Sequence, residues 1–384
     1  MLMTDIRKPL ALCLTLLVIA SVGNRGSASD RNEFHAGVHK GPFLRPTGIY
    51  AIGLRGQPPP KELLEKPFVD GVALAQEWRT VEPTRGHYNF STIDATLALL
   101  ELYQKKLTLT IFPFRAPDYL INDPEVQTYG VEHIGAIITL PVPWDATGLA
   151  RYAALFQALA DHLVPNAAQG GAEVRFRDHP LVVGMPAWPM GMNGVRDICQ
   201  LSGRCPVIYT VPNYSRQALT RGILHSLYVV VNQFPNQFHY VPFFRISDER
   251  ESPPLDEHLL AAIKRHFFNG SKPPQMGLYQ ENLSCRGPSV AGAFTLFREQ
   301  SNTYTMIQAL QAWINPTVSP GATDLCLVTT TPGDRSTAIS GPEVGIWHAY
   351  QTFGCRYFEI YMADLLHPGF ADELAYWSEV LSIM

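Results

Sequence analysis

From Gly48 onward, short apolar runs that are typical of β-strands alternate with longer amphipathic stretches that are typical of α-helices. Such alternation predicts βαβ units, in which the buried parallel strands are nearly continuous hydrophobic runs. The predicted strands are 48–54, 71–76, 107–112, 181–186, 239–244, 276–279, 325–329 and 357–361. The predicted helices are 91–104, 146–163, 215–233, 255–268, 305–314, 342–353 and 371–383, with Ser91 as the expected cap of the first.

Eight strands in strict alternation with helices favour a single (β/α)₈ barrel, the TIM barrel, over an open doubly wound sheet. An open sheet of that kind carries a glycine-rich phosphate turn after its first strand, and residues 53–60 do not form one. A length of 384 residues is compatible with one barrel domain. The segments after strands three and four, 115–145 and 188–213, are long, and we expect these βα loops at the carboxyl-end face, where barrel active sites lie.

Composition excludes two classes of protein. With 46% hydrophobic and 17% charged residues, the chain has the composition of a globular protein with a large core rather than of a disordered one. Its net charge is −4 and its basic residues are scattered. A nucleic-acid partner requires a basic stripe to offset phosphate charge, so we predict no such partner.

The amino terminus has the features of an export signal. Arg7 and Lys8 precede an apolar run at 10–23, and a stretch of small residues suited to cleavage follows at 26–28. The apolar run is shorter than the roughly 20 residues of a membrane span. We predict a cleaved signal peptide at 1–28, an irregular leader at 29–44 and a barrel domain at 45–384, hence a secreted or periplasmic protein without membrane contact. An uncleaved signal anchor is the alternative.

Cysteine and histidine spacing gives no argument for a metal site, and we predict no metal and no other cofactor. Cys199 and Cys205 enclose a short polar loop. In an oxidising compartment we expect a disulfide between them, with two free thiols as the alternative. The oligomeric state is not predicted.

The segment 71–94, GVALAQEWRTVEPTRGHYNFSTID, is the most informative part of the chain. It resembles the second-strand segment of retaining glycoside hydrolases with barrel folds, especially the β-galactosidase-like families. In those families a strand that ends in Trp is followed by Glu-Pro, a Gly-Tyr-x-Phe turn and an Asp that opens a helix. Segments 140–145 and 179–184 resemble the same group, and the resemblance fades after residue 184. It implies a barrel that acts on O-glycosidic bonds of a carbohydrate.

Glycoside hydrolysis requires two carboxyl groups, about 5 Å apart if configuration is retained and roughly 6.5–9.5 Å apart if a water must fit between them. The resemblance implies one glutamate after strand four and one after strand seven. Segment 184–193 contains no carboxylate, and segment 329–334 contains only Asp334. The catalytic pair has therefore moved, or the chain is a non-catalytic carbohydrate-binding barrel. A barrel enzyme of another reaction class is a third interpretation.

Two other glutamates lie at the carboxyl ends of predicted strands. Glu281 follows strand six and Glu359 lies on strand eight. An acid buried on a barrel strand either pairs with a base or serves chemistry, and we predict that these two form the catalytic pair. For Glu359, an ion pair with Arg245 or Arg356 is the alternative.

Further side chains at predicted strand ends are candidates for holding the sugar, since sugar rings stack on aromatic faces beside a few polar groups. The predicted substrate-binding residues are Glu77, Trp78, Trp188, Asp248, Tyr279 and Tyr361. The alternative for the aromatic residues is that they fill the top of the barrel. For Glu77 it is an ion pair with Arg79 or Arg55, and for Asp248 it is a solvated loop.

Overall fold

The computed structural model describes residues 45–54, 56–133, 136–195, 208–244, 252–268, 276–284, 287–288, 305–309, 328–329, 338–339 and 342–383. The predicted signal peptide and leader, the pair Cys199 and Cys205, and the candidate Asp248 lie outside these residues and stay predictions. Within the described residues, no helix is both long enough and apolar enough to cross a membrane.

A nine-stranded sheet forms the centre of the molecule, and every strand of it except the short antiparallel Gly287–Pro288 runs parallel to its neighbours. We label the parallel strands in chain order: β1 Gly48–Ile52, β2 Gly71–Glu77, β3 Lys106–Phe112, β4 Val182–Gly184, β5 His239–Pro242, β6 Met276–Ser284, β7 Thr305–Ala309 and β8 Tyr357–Tyr361. Pairing follows chain order from β1 to β4 and from β5 to β8, and β8 pairs with β1.

The sheet closes between β4 and β5. The backbone nitrogen of Phe238 donates to the carbonyl of Val183 at 3.0 Å, and that of Met185 donates to the carbonyl of Phe238 at 2.9 Å. These bonds join the two remaining edges, so the described strands form the closed (β/α)₈ barrel that the sequence predicts.

Strand seven corrects the sequence-based assignment. Residues 305–309, predicted as the start of a helix, form β7 between β6 and β8. Among the described residues, 328–329, which lie within the predicted strand 325–329, pair with Ala338–Ile339 in a separate antiparallel ladder. The prediction was wrong because 325–329 is the more apolar run, whereas the sequence of β7, TMIQA, includes polar residues. Met306 joins the barrel interior, and Thr305 donates to the carbonyl of Phe353.

The longer helices of the described residues are α1 Ser91–Tyr103, α2 Ala146–Asp161, α3 Arg216–Gln233, α4 Leu255–Ile263, α5 Pro342–Phe353 and α6 Ala371–Ser382. Shorter helices are Lys61–Leu64, Trp78–Val81, Asp118–Ile121 and Met362–Leu365, with a π-helical turn at Lys264–Phe268 and 3₁₀ turns at Ala167–Gln169, Phe176–Asp178, Ile208–Thr210 and Pro368–Phe370. Two antiparallel hairpins pair Thr128–His133 with Ala136–Pro141 and Leu163–Asn166 with Ala172–Arg175.

Side chains cap the starts of α2 and α3, and Ser215 accepts from the backbone nitrogen of Ala218 at 3.0 Å at the start of α3. Asp145 accepts from the backbone nitrogen of Gly148 at 2.7 Å at the start of α2. The predicted cap of α1 is wrong, because Ser91 is its first helical residue and Asn89 accepts from the Ser91 nitrogen instead, at 3.2 Å. The N-cap residue of α1 is Phe90, and no side chain caps this helix.

The strands separate two hydrophobic cores. An outer core fills the space between strands and helices, and a smaller inner core fills the barrel. The inner core consists of Tyr50, Ile52, Ala73, Val183, Phe238, Tyr240, Tyr279, Met306 and Tyr357. Tyrosine is frequent in it, so the barrel interior carries hydroxyl groups beside its apolar surface. Those hydroxyls determine the chemistry at its carboxyl end.

Candidate active site

A pocket opens at the carboxyl ends of the barrel strands, directly above the inner core. The empty space of the pocket is roughly 530 Å³ when the open solvent at its mouth is included. The lining residues are Ile52, Gly53, Ala73, Ala75, Thr110, Phe112, Trp188, Tyr240, Tyr279, Glu281, Glu359 and Tyr361. The location agrees with the end of a barrel at which active sites lie.

Glu359 lies on β8 at the floor of the pocket and is 4% exposed. Three tyrosine hydroxyls donate to it: Tyr240 to Oε1 at 3.0 Å, Tyr357 to Oε1 at 2.7 Å and Tyr279 to Oε2 at 2.6 Å. The Tyr357 hydroxyl also lies 2.8 Å from Oγ1 of Thr108. The carboxyl group is therefore enclosed by neutral donors from two other strands and its own.

Burial raises the pKa of Glu359 to about 7. The three tyrosine hydrogen bonds lower this pKa, because they stabilise the anion, and the nearby charge of Glu281 raises it. Burial also raises the pKa values of Tyr240 and Tyr279 well above the usual value, so both phenols keep their protons at neutral pH. Glu359 can consequently hold or release a proton close to pH 7.

Glu281 lies two residues beyond Tyr279 on β6, so its side chain points to the same face of the strand. It is partly buried and lines the pocket together with Glu359. Strand β7 lies between β6, which carries Glu281, and β8, which carries Glu359. In the register of these strands Tyr279 of β6 is paired with Met306 of β7, and Met306 is paired with Tyr357 of β8. Both predicted catalytic residues therefore lie on one pocket.

Three predicted substrate-binding residues, Trp188, Tyr279 and Tyr361, also line this pocket. Trp188 follows β4 and contacts the ring of Phe112 edge to face, with ring centroids 4.7 Å apart. Tyr361 ends β8. The strand-end positions in the sequence place these aromatic side chains at the carboxyl end of the barrel.

Trp78 and Glu77 do not line the pocket. Trp78 is fully buried, donates from Nε1 to Glu82 at 2.9 Å and packs on the ring of Tyr152, so it belongs to the outer core. The physical reason is that a helix begins at Trp78 directly after β2, which ends the alternation of the strand. Glu77 pairs with Arg79 at 2.8 Å, the alternative partner that the sequence suggested, and approaches Arg115.

The alternative of an ion pair between Glu359 and Arg356 is wrong. The Arg356 guanidinium lies over the ring of Tyr350, 4.0 Å from its centroid, and donates to the carbonyl of Cys355. Arg245 lies outside the described residues. Among the described residues no cation forms an ion pair with Glu359, and no group of three His, Cys, Asp or Glu side chains could hold a metal ion.

Sequence reasoning missed two of the three tyrosines that enclose Glu359, Tyr240 and Tyr357. A signal was present in the second case, since Tyr357 and Glu359 are two residues apart on one strand and therefore share a face. Tyr240 is on β5, and its approach to Glu359 depends on barrel closure, which a linear pattern does not specify.

No family model and no curated protein matches the chain. The chain resembles solved structures of the catalytic domain of β-amylase from Paenibacillus polymyxa (10% identity, 88% of this chain and 98% of that chain covered, TM-score 0.49) and of xylanase B from Clostridium stercorarium F9 (12%, 82% and 85%, 0.44). It also resembles endo-glycoceramidase II from Rhodococcus sp. (14%, 83% and 76%, 0.40). The strand pairing of this chain itself shows the barrel.

Proposed function

We propose that the protein is a glycoside hydrolase that cleaves O-glycosidic bonds of a carbohydrate with Glu281 and Glu359, and that it acts after export. The observation that carries the proposal is that two carboxyl groups from β6 and β8 line one pocket at the carboxyl end of the barrel, and that one of them has a pKa of about 7. Paired carboxyl groups in different environments are the requirement of this chemistry.

The environments of the two groups divide the roles. Glu359 is the more buried and holds its proton near neutral pH, so it is suited to protonate the leaving oxygen as general acid. Glu281 is closer to solvent and acts as the carboxylate that attacks the anomeric carbon or activates a water. Trp188 and Tyr361 offer aromatic faces on which the sugar ring can stack.

The second candidate is a carbohydrate-binding barrel without catalysis. It is favoured by the three hydroxyls that occupy Glu359, since a carboxyl group so enclosed can also serve only to hold the barrel interior together. It is favoured as well by the described segment after β4, 185–195, which contains no carboxylate.

The test compares hydrolysis of a panel of aryl glycosides by the parent protein and by Glu281→Gln and Glu359→Gln, each of which preserves shape. We expect each substitution to lower kcat by about 10²–10⁴-fold, the typical contribution of a positioned acid or base. Glu379→Gln removes an exposed carboxylate on α6 and serves as the control. Turnover by the pocket variants at the parental rate contradicts the proposal, and binding of glycosides without turnover favours the second candidate.

A further inference from the structure

The two carboxyl oxygens of Glu359 accept different numbers of hydrogen bonds. Oε1 accepts from Tyr240 at 3.0 Å and from Tyr357 at 2.7 Å, whereas Oε2 accepts from Tyr279 at 2.6 Å. Each oxygen of a carboxylate has about two lone-pair sites at which it can accept. Counted over the described residues, both sites of Oε1 are therefore occupied, and one site of Oε2 is left for a proton.

The other donors of the pocket lining do not occupy this second site of Oε2. Thr110, Trp188 and Tyr361 carry a hydroxyl or an indole N–H and line the pocket, but within the described part of the chain none of them forms a hydrogen bond with Glu359. Glu281 acts on Glu359 through its charge, and an ionised carboxylate has no proton to donate. A proton can therefore bind at Oε2 without displacing a phenol.

A buried hydroxyl on β3, that of Thr108, supports one of the two bonds to Oε1. Its Oγ1 lies 2.8 Å from the hydroxyl of Tyr357, and Tyr240 is close to both. Tyr357 has a single proton and donates it to Oε1, so in the contact with Thr108 the threonine is the donor. A hydroxyl that accepts one hydrogen bond donates the next one more strongly. Thr108 thus strengthens the bond from Tyr357 to Oε1 without contacting Glu359.

Packing holds Thr108 and Tyr357 in place. Thr108 is paired with Gly184 of β4, where an added Cβ would lie 2.7 Å from Cγ2 of the threonine, so the glycine leaves the space for that methyl group. On β1, Tyr50 packs on Tyr357 with ring centroids 4.5 Å apart. Because these neighbours belong to β1 and β4, the two hydroxyls are positioned independently of Glu359.

From this geometry we infer that Glu359 carries its exchangeable proton on Oε2, and that Thr108 is a positioning residue that acts through Tyr357 to keep Oε1 occupied. The inference rests on the proposed function for the use of this proton. In the hydrolase the proton moves from Oε2 to the glycosidic oxygen while the bond from that oxygen to the anomeric carbon breaks, with its electron pair left on the oxygen. The anomeric carbon accepts an electron pair from Glu281 or from a water, and the three phenols stabilise the carboxylate that remains.

The experiment is infrared difference spectroscopy of the complete protein between pH values below and above 7. The C=O stretch of protonated Glu359 is the band that the parent shows at the lower pH and that Glu359→Gln lacks. The oxygen without the proton is the C=O oxygen, and each hydrogen bond that it accepts lowers the frequency of the stretch. We therefore expect Tyr357→Phe to move the band to higher wavenumber and Tyr279→Phe, which removes a bond to the protonated oxygen, to move it less. Tyr240→Phe removes the other bond to Oε1 and should act like Tyr357→Phe, so the test does not depend on a single variant.

Thr108→Val removes the supporting hydroxyl and keeps a branched side chain beside Gly184. We expect it to move the Glu359 band in the same direction as Tyr357→Phe and by a smaller amount. Thr108→Ser retains the hydroxyl and should restore the parental band, which a role of the threonine in packing alone would not do. Tyr376→Phe, at a position on α6 that is 60% exposed, should leave the band unchanged.

Three results overturn the inference: a larger shift in Tyr279→Phe than in Tyr357→Phe, a band in Thr108→Val identical to that of the parent, or no band that Glu359→Gln removes. The measurement requires no substrate. The expected shifts in a protein that hydrolyses no glycoside refute the hydrolase alone, whereas hydrolysis by a protein whose band shows the opposite order of shifts refutes only the inference.

Discussion

Two glutamates are buried among the described residues of this barrel, Glu82 and Glu359, and their surroundings differ. Glu82 is completely buried behind the helix Trp78–Val81, where it accepts from Nε1 of Trp78 at 2.9 Å and from the Gly86 nitrogen at 2.8 Å, and it forms an ion pair with Arg151 of α2. Glu359 is 4% exposed at the floor of the pocket, with three phenols as donors and another carboxylate as its charged neighbour.

The different partners of the two carboxyl groups indicate a structural role for Glu82 and a candidate chemical role for Glu359. The carboxylate of Glu82 has a partly buried cation, an indole N–H and a backbone N–H as partners, so it is compensated. It joins the turn that contains Gly86 to α2 and has no access to solvent. Glu359 has donors but no opposite charge among the described residues, and it lines a pocket. Burial alone does not distinguish a reactive acid from a structural one, and burial without a cation beside an open pocket makes Glu359 the candidate for a chemical role.

The largest expected effect follows from breaking the ion pair. Arg151→Met leaves the buried charge of Glu82 without its cation, and we expect a loss of about 3–5 kcal/mol in the free energy of unfolding. Urea denaturation at neutral pH measures the loss. The double variant with Glu82→Gln should recover much of the stability, because no buried charge remains. A loss below about 1 kcal/mol contradicts the view of Glu82 as a structural anchor.

A smaller and pH-dependent effect is expected at Glu359. Its pKa is raised from the ordinary value of 4.5 to about 7, so the folded state binds the proton more tightly than the unfolded state. The stabilisation is complete below about pH 4.5 and is lost as the pH rises through 7. Glu359→Gln lacks this titration, and its stability relative to the parent should rise by roughly 3 kcal/mol between about pH 4 and pH 8.

Chemical denaturation of the parent and of Glu359→Gln across this pH range measures the difference between their free energies of unfolding. The contributions of the other titrating groups are common to both proteins and cancel in this difference. A difference that is independent of pH excludes a raised pKa at Glu359. The corresponding series for Glu379→Gln, at an exposed position, should be flat.

The fold was largely predictable, because parallel barrel strands are buried on both faces and are therefore apolar runs, as in β2 and β3. Strand β7 was the exception. Its sequence, TMIQA, is short and includes polar residues, and the strand is defined by the edges of β6 and β8 rather than by its own pattern. Local propensity cannot reveal a strand whose position is determined by barrel closure.

Strand-end position alone identified Glu281, Glu359 and Trp188 as candidates, and all three line the pocket. It failed at Trp78, because the chain changes from strand to helix at that residue and the side chain turns into the outer core. It could not assign Tyr240 to Glu359, since the two are 119 positions apart in the chain. The alternation of residues along a strand specifies which face of the sheet a side chain occupies, and the closure of the barrel determines which side chains come into contact on that face.

The smallest expected effect concerns the donors themselves. Tyr279→Phe removes the 2.6 Å hydrogen bond to Oε2 of Glu359, and since that bond lowers the pKa of Glu359, its loss raises the pKa above 7. A hydrogen bond to a charged group contributes about 1.5–3 kcal/mol, which corresponds to about one or two pKa units. If Glu359 is the general acid, the alkaline limb of the profile of kcat/KM against pH moves upward by that amount.

Tyr240→Phe provides the matched control, because Tyr240 donates to the other oxygen at 3.0 Å, and Oε1 retains the donor Tyr357 at 2.7 Å after the change. The shift should have the same direction and be smaller. The pH dependence of stability of each variant gives the same pKa without any substrate, so the prediction holds whether or not the barrel hydrolyses a glycoside. If the alkaline limb of the kcat/KM profile instead moves to lower pH in Tyr279→Phe, the phenol does not stabilise the anion of Glu359. Glu359 would then resemble Glu82 as a structural group.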